Sequence, residues 1–365
     1  MSLVCSPSGE VNYKKYKSCF SPEAIAELVR LWNAKHPSMH IGSSTPAQML
    51  RELRKRMRKE LARENKAASV GVETDLAAVE HLNASFTPSV AQSLRPRKPR
   101  EWNSKPHEWL DNFNIDAVMS QYNYMREFEY KFLGVFPVDF AEPMGPAGEC
   151  YTPAMCALNL RDDLLAKGFK YTGFVINLDR HDQGGSHWTS IFAVLDPALP
   201  SYGAYYYDSI GRPWPPEIER YLTSWKRQMD ALHPKHKFRL DWSRVSHQSA
   251  NTECGMFSML FQILWIERLK YDKKRTKQEE REAKKLIKSG KLPEGARRIL
   301  EDKSPASFEM ITSMPIKDVN AFYLRDALFR GAGKPRASPT ELVKVGKERT
   351  RVTRGVGIKK SKNVT

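Results

Sequence analysis

The stretch Gln248-Ser-Ala-Asn-Thr-Glu-Cys254-Gly255 is the most informative part of this chain, because a long apolar segment follows it directly. That segment, Met256–Leu269, is apolar on nearly all sides, which predicts a buried helix. A thiol at the start of such a helix is either a buried structural cysteine or a nucleophile, since a helix N-terminus favours the thiolate form.

Two further polar residues flank predicted strands upstream. His187-Trp188 opens one strand, and Asp208 closes the next strand after a turn around Pro197–Gly203. Antiparallel pairing of these strands is expected to place the imidazole and the carboxylate opposite each other.

These residue types together match the needs of a thiol hydrolase. A thiolate nucleophile requires a base, a group that orients the base, and donors for the developing oxyanion. We assign these roles to His187, to Asp208, and to the Gln248 amide with the backbone N–H of Cys254. Gly255 is expected to let the backbone of a substrate approach closely.

Each of these residues also has a plainer interpretation when taken singly. His187 could be a strand-edge residue, Asp208 a turn acid, Gln248 a surface loop residue and Cys254 a buried thiol. Their order and spacing favour the catalytic interpretation. Among other histidines, His181 lies in a polar loop, and the His247 side chain should point away if that of Gln248 points inward.

Residues 1–100 are expected to form a basic helical arm. Ser21-Pro22-Glu23 and Thr45-Pro-Ala-Gln48 each have the composition of a helix start. The basic, proline-containing segment Arg95–Arg100 is the predicted boundary. Beyond it we expect a protease-like core over 101–330, with a charged helical insertion at 270–303, and a disordered basic tail over 331–365.

Within the core, β-branched and aromatic runs predict strands, and one amphipathic run predicts a helix after a proline-rich turn. The aromatic stretch that follows Trp109 is expected to continue a helix to Tyr130. The predicted strands are Phe132–Phe140 (or a buried loop), Tyr171–Leu178, Trp188–Leu195, Ala204–Asp208 and Lys237–Trp242, and the predicted helix is Pro216–Leu232.

Charge and composition limit the partners. The formal net charge of +17 favours an acidic partner, either DNA bound without sequence specificity or an acidic protein, although solvated lysines alone would also account for it. No apolar run is long enough for a membrane span, and no secretory leader is expected. The five cysteines are expected to be reduced, without a zinc site or other cofactor.

The order His-Trp, Asp-Ser and Gln-x5-Cys-Gly resembles the SUMO-protease superfamily (clan CE), which includes the adenovirus protease. Asn112–Asp116, His187–Phe192 and His247–Gly255 further resemble the polyprotein-processing protease of asfarviruses and related large DNA viruses. The similarity spans about Trp109 to Arg330. The asfarvirus branch carries Asn where this chain has Asp208, so this position follows the wider superfamily.

The resemblance implies an α+β fold, a papain-like variant with a central mixed sheet and the cysteine on a central helix. It gives His187, Asp208, Gln248 and Cys254 as catalytic positions and Trp188 as an aromatic residue that lines the substrate channel. It implies no cofactor.

The function implied is a cysteine endopeptidase that cleaves viral structural polyproteins after Gly-Gly-X sites, in the host cytoplasm, at the assembly site and in the virion. A deSUMOylase or deubiquitinase is the alternative with the same chemistry. A third possibility is a non-enzymatic, basic virion or nucleic-acid-packaging protein that retains the fold.

Overall fold

The computed structural model describes residues 4–43, 45–64, 71–144, 148–274, 306–313 and 317–331. The chain divides into two units. The first comprises Met1–Pro106, Ala117–Met125 and Leu324–Ser338; the second includes His107–Asp116 and Arg126–Tyr323. Most of the predicted insertion and all but the first residue of the predicted tail lie outside the described residues, so both stay predictions.

The first unit is helical, as expected for the N-terminal region. The Ser21 side chain accepts a hydrogen bond from the Ala24 N–H, and Thr45 caps its helix through Gln48, as predicted. The buried faces of the second and third helices form the core of this unit. Its helices are α1 (Pro7–Tyr16), α2 (Pro22–Lys35), α3 (Pro46–Arg63), α4 (Val72–His81) and α5 (Pro88–Ser93).

The expectation of reduced cysteines is wrong for four of the five. Disulfides join Cys5 to Cys19 and Cys150 to Cys156. The first pair meets because Lys17, the residue after the end of α1, has a left-handed φ of 55° and reverses the chain. The spacing of cysteines in the sequence does not show where the chain reverses. The prediction of reduced thiols therefore rested only on the small, odd number of cysteines.

The second unit is built on a mixed five-stranded sheet, which agrees with the α+β expectation. Its strand order is β1-β4-β5-β6-β7, with β1/β4 and β6/β7 parallel and the two central pairings antiparallel. The strands are β1 (Tyr130–Pro137), β2 (Pro143–Met144), β3 (Glu149–Cys150), β4 (Tyr171–Asn177), β5 (Trp188–Val194), β6 (Gly203–Tyr207) and β7 (Arg239–Trp242), where β2 and β3 form a separate small ribbon.

The remaining helices follow the predictions in part. The segment Pro216–Leu232 is helical throughout, and the apolar segment lies inside a helix that begins at Cys254. The predicted helix up to Tyr130 is instead a shorter helix followed by 3₁₀ turns at Ser120–Tyr124 and Arg126–Phe128. These helices are α6 (Asn112–Met119), α7 (Pro153–Cys156), α8 (Pro216–Leu232), α9 (Cys254–Lys274), α10 (Phe308–Thr312) and α11 (Asp318–Leu328).

The part of helix α9 from Met256 to Ile266 is buried, because it is apolar on nearly all sides. The Trp265 ring stacks on Phe192 of β5 at 5.2 Å between centroids. Gln262, fully buried, donates through Nε2 to the Phe174 carbonyl at 3.1 Å and to Ser190 Oγ at 2.9 Å. These polar contacts with two central strands fix the helix that carries Cys254.

Candidate active site

His187 and Asp208 are in contact at the ends of the central strands. Ser190 of β5 pairs with Tyr207 of β6, and the same antiparallel register places Asp208 opposite Thr189. His187 is therefore two residues from the position opposite Asp208, which makes the two residues diagonal neighbours and not the directly opposite pair that was predicted. The side chains close the gap: His187 Nε2 lies 2.7 Å from Asp208 Oδ1. The imidazole is mostly buried and the carboxylate fully so.

The imidazole favours its protonated form. Burial acts to lower the pKa of His187, but hydrogen bonding to Asp208 and then to Cys254, together with their charges, raises this pKa to about 9. Because Asp208 engages Nε2, Nδ1 is the ring nitrogen left for the sulfur. The structure thus brings three of the predicted residues together in the order acid, imidazole, thiol.

Cys254 is the first residue of α9 and the one cysteine outside a disulfide. Its side chain is only 4% exposed. The thiol therefore lies at the positive end of the helix dipole and beside the imidazole. A buried sulfur beside a base has the arrangement that a nucleophile needs.

Gln248 is buried next to the Asp208 strand end. Ser209 Oγ donates to Gln248 Oε1 at 2.6 Å, and the Ser209 carbonyl accepts from the Gln248 N–H at 2.9 Å. The Gln248 amide nitrogen donates to the Ala250 carbonyl, which uses one of its two hydrogens. Ser209 therefore fixes the amide orientation, a role that the sequence did not indicate beyond the Asp-Ser pair itself.

The loop between Gln248 and Cys254 is held from a distant segment. Asp318, the first residue of α11, accepts hydrogen bonds from the backbone N–H groups of Ser249 at 3.0 Å and Ala250 at 3.2 Å. The two contacting segments are about seventy residues apart in sequence. No local pattern identifies such a partner, so the prediction missed it.

Gly255 has a different environment from the one expected. A Cβ at this position would lie 2.8 Å from Leu110 Cδ1 and 3.3 Å from Trp188 Cδ1. The space beside Gly255 is therefore filled by the chain's own side chains, and its small size permits this packing. Trp188 Nε1 also donates to the Leu110 carbonyl at 2.9 Å, so Leu110 positions both residues.

A groove of about 440 Å³ lies beside Trp188 and is open to solvent. Trp109, Leu110 and Asp111 form part of its wall, and Asn177 and His181 another. None of the four predicted catalytic side chains lines it. Trp188 therefore borders this groove, whereas Gly255 does not.

Two other histidines have partners of their own. His181 Nδ1 lies 2.7 Å from Asp139 Oδ2, and the fully buried Asp139 also accepts from the His181 N–H at 3.0 Å. His247 Nδ1 lies 2.9 Å from Tyr207 Oη. His247 and Gln248 thus have separate partners, on Tyr207 and Ser209, as expected if their side chains diverge.

Over the described ranges, no group of three or more His, Cys, Asp or Glu side chains is arranged to hold a metal ion. In the same ranges, no helix combines the length and apolarity that crossing a bilayer requires.

Comparisons with known proteins point to viral proteases. No family model matches the chain. A candidate thiol protease of Acanthamoeba polyphaga mimivirus is 29% identical over 169 residues, which cover 44% of this chain and 48% of that protein. Cysteine proteases of African swine fever virus, some named SUMO-1 cysteine proteases, are 30% identical over 89 residues, 24% of this chain and 32% of theirs. The chain thus spans half or less of these relatives.

Solved structures with similarity include the African swine fever virus protease, at a TM-score of 0.45 and 17% identity, covering 86% of this chain and 92% of that one. Another is the yeast Ulp1 protease domain in complex with Smt3, at a TM-score of 0.29 and 17% identity, covering 44% and 67%. By sequence similarity over part of their length, this chain is a homologue of viral thiol and cysteine proteases, as its motifs predicted.

Proposed function

We propose that the chain is a cysteine endopeptidase that cleaves viral structural polyproteins after Gly-Gly-X sites during virion maturation. One observation carries the proposal: a single imidazole contacts a buried carboxylate through Nε2 at 2.7 Å and interacts with a thiol at a helix start. This arrangement suits acyl transfer through a covalent thioester.

In the proposed mechanism, the proton of the Cys254 thiol already resides on His187 Nδ1, which matches the protonated imidazole, and the sulfur attacks the scissile carbonyl. The developing oxyanion accepts from the backbone N–H of Cys254 and from the second hydrogen of the Gln248 amide nitrogen. When the C–N bond breaks, the imidazolium gives its proton to the leaving amine. Water, deprotonated by the same imidazole, then hydrolyses the thioester and restores the thiol.

The preference for glycine is supported by the tight surroundings of the sulfur. Cys254 is almost completely buried, and Leu110 and Trp188 fill the space beside Gly255. A substrate chain that reaches the sulfur must pass close to these side chains. Residues without Cβ are the ones that such close packing admits.

The test uses a Gly-Gly-X reporter peptide and the full chain. Cys254→Ala and His187→Ala are expected to abolish cleavage. His181→Ala is the matched control, because it removes an imidazole of another buried Asp–His pair and should retain turnover. Undiminished cleavage by Cys254→Ala would remove the proposal.

An active-site probe gives an independent readout. A Gly-Gly vinyl sulfone should label Cys254 and spare the other cysteines, as peptide mass spectrometry would show. Labelling of another cysteine in preference to Cys254 contradicts the assignment of the nucleophile.

A deSUMOylase or deubiquitinase is the second candidate, because some of the viral relatives carry SUMO-1 cysteine protease as their name. Fluorogenic SUMO or ubiquitin substrates decide between the two. A much higher kcat/KM for these substrates than for the short peptide favours the conjugate-processing enzyme. Equal or lower values favour the polyprotein protease.

The proposed place of action is the host cytoplasm, the viral assembly site and the virion. The basic charge of the chain supports contact with DNA or acidic precursor proteins there. A non-enzymatic packaging protein would bind DNA tightly and leave the vinyl sulfone unreacted, an outcome opposite to the one expected.

A further inference from the structure

The first unit contains a cavity of about 960 Å³ that the proposed protease function does not use. Its size lies in the range of about 300–1,000 Å³ typical of small-ligand sites. Three arginines, Arg95, Arg97 and Arg330, line it, and Glu80 is the acidic side chain in the lining. The charged part of the wall is therefore net positive.

Arg95 is held rigidly and retains a free donor. Its Nε donates to the Cys5 carbonyl at 2.8 Å and its Nη2 lies 3.1 Å from Glu10 Oε1. The residue is 8% exposed, and its buried Nη1 has no hydrogen-bond partner among the described residues. A buried guanidinium whose donors are not all paired is costly, so an anionic ligand in the cavity that Arg95 lines would be stabilising.

Arg330 adds a second charge beside the first. Its Nε donates to the Arg95 carbonyl at 2.8 Å, and its backbone pairs with that of Arg97. Among the described residues, no carboxylate forms an ion pair with Arg330. Burial, and then the charge of Arg97, lower the pKa of Arg330 to about 10, while Glu80 acts in the opposite direction.

Arg97 and Glu80 form a weak pair at the cavity rim. Their closest atoms are 3.3 Å apart and both side chains are more than half exposed. Such a pair contributes little and exchanges readily with another anion. Glu80 therefore does not cancel the positive charge of the wall.

We propose that this cavity binds a phosphate-bearing ligand. Guanidinium groups hold phosphate oxygens through paired, charge-assisted hydrogen bonds, which suits three adjacent arginines. Tyr124, half exposed in the same wall, offers an aromatic face to a nucleobase. The phosphate belongs either to a free nucleotide or to a nucleic-acid backbone.

The test measures binding to the full chain, with ATP by calorimetry and a short labelled single-stranded DNA by fluorescence anisotropy. Arg330→Gln and Arg97→Gln remove one charge each from the wall. The matched control is Arg63→Gln, which removes the same charge from an exposed ion pair outside the cavity. Thermal melting checks that each variant is folded. If Arg330→Gln does not fold, the binding measured with Arg97→Gln, a substitution at an exposed side chain, decides the test.

We expect at least one phosphate probe to bind, and the cavity variants to weaken it about tenfold or more, while the control stays within about twofold. ATP binding with this pattern assigns a free nucleotide, and DNA binding alone assigns the backbone. Equal weakening by Arg63→Gln, binding of neither probe, or tighter binding of a hexaglutamate peptide would each overturn the proposal.

Discussion

Asp208→Asn tests the acid–imidazole–thiol arrangement with little change of shape. Asp208 Oδ1 accepts from both His187 Nε2 and the Ile210 N–H, whereas Oδ2 is buried without a partner in the described residues. An asparagine must keep its oxygen at the Oδ1 position, because two donors meet there. Its amide group then occupies the unpaired position, so the hydrogen bond survives and the charge is lost.

The size of the effect follows from the imidazole. The difference between a pKa of about 9 for His187 and its ordinary value of 6.5 corresponds to about 3 kcal/mol in favour of the imidazolium. Asp208 and Cys254 share this stabilisation. If the transition state loses most of it, kcat falls by roughly a hundredfold with KM little changed.

Steady-state kinetics on the Gly-Gly-X reporter measure this loss, and Asp139→Asn is the matched control. Asp139 is equally buried and also lies 2.7 Å from a histidine, His181. This histidine takes no part in the proposed mechanism. Because His181 borders the groove, the control variant is expected to alter KM while kcat stays within about tenfold.

Two results would refute the reasoning. The first is an Asp208→Asn variant, folded by thermal melting, whose kcat matches that of the wild type. The second is an equal loss of kcat in both variants, which would show that the measured effect comes from a buried carboxylate in general.

Three further outcomes are expected. Because His187 loses its proton as the pH rises through about 9, the leaving amine then goes unprotonated, and kcat/KM should fall above that pH; a pH profile flat to higher values contradicts this. Gly255→Ala should lower the free energy of unfolding by about 1–3 kcal/mol in urea titrations, since its Cβ would lie 2.8 Å from Leu110 Cδ1; unchanged stability would show that the site relaxes. Ser209→Ala should lower kcat about tenfold at constant KM, because the Gln248 amide loses its orienting donor; a change confined to KM would place Gln248 in substrate binding instead.

The local features of the fold could be predicted from the sequence. The caps at Ser21 and Thr45, the helix Pro216–Leu232 and the central strands all follow from side chains within a few residues of each other. Their patterns depend on hydrogen bonds and burial that are local to each element. The element types were therefore largely correct.

Features that join distant segments could not be predicted. The carboxylate of Asp318 holds the loop before Cys254, and Leu110 packs on Gly255, yet neither residue belongs to a recognisable pattern. The diagonal offset of His187 from Asp208 depends on the register between β5 and β6, and the predicted register differs from the observed one by two residues. The proximity of the acid and the imidazole was nevertheless expected, because the ends of two neighbouring strands place them at one edge of the sheet.

The two disulfides differ in how easily a reductant can reach them. Cys5 and Cys19 are 0% and 1% exposed, whereas Cys156 lies at the surface. Thiol–disulfide exchange requires access to the sulfur. Mild reducing agents, added to keep the Cys254 sulfur reactive, should therefore reduce the Cys150–Cys156 disulfide first and leave the Cys5–Cys19 disulfide intact. The covalent state of the protein then depends on the buffer in which it is prepared.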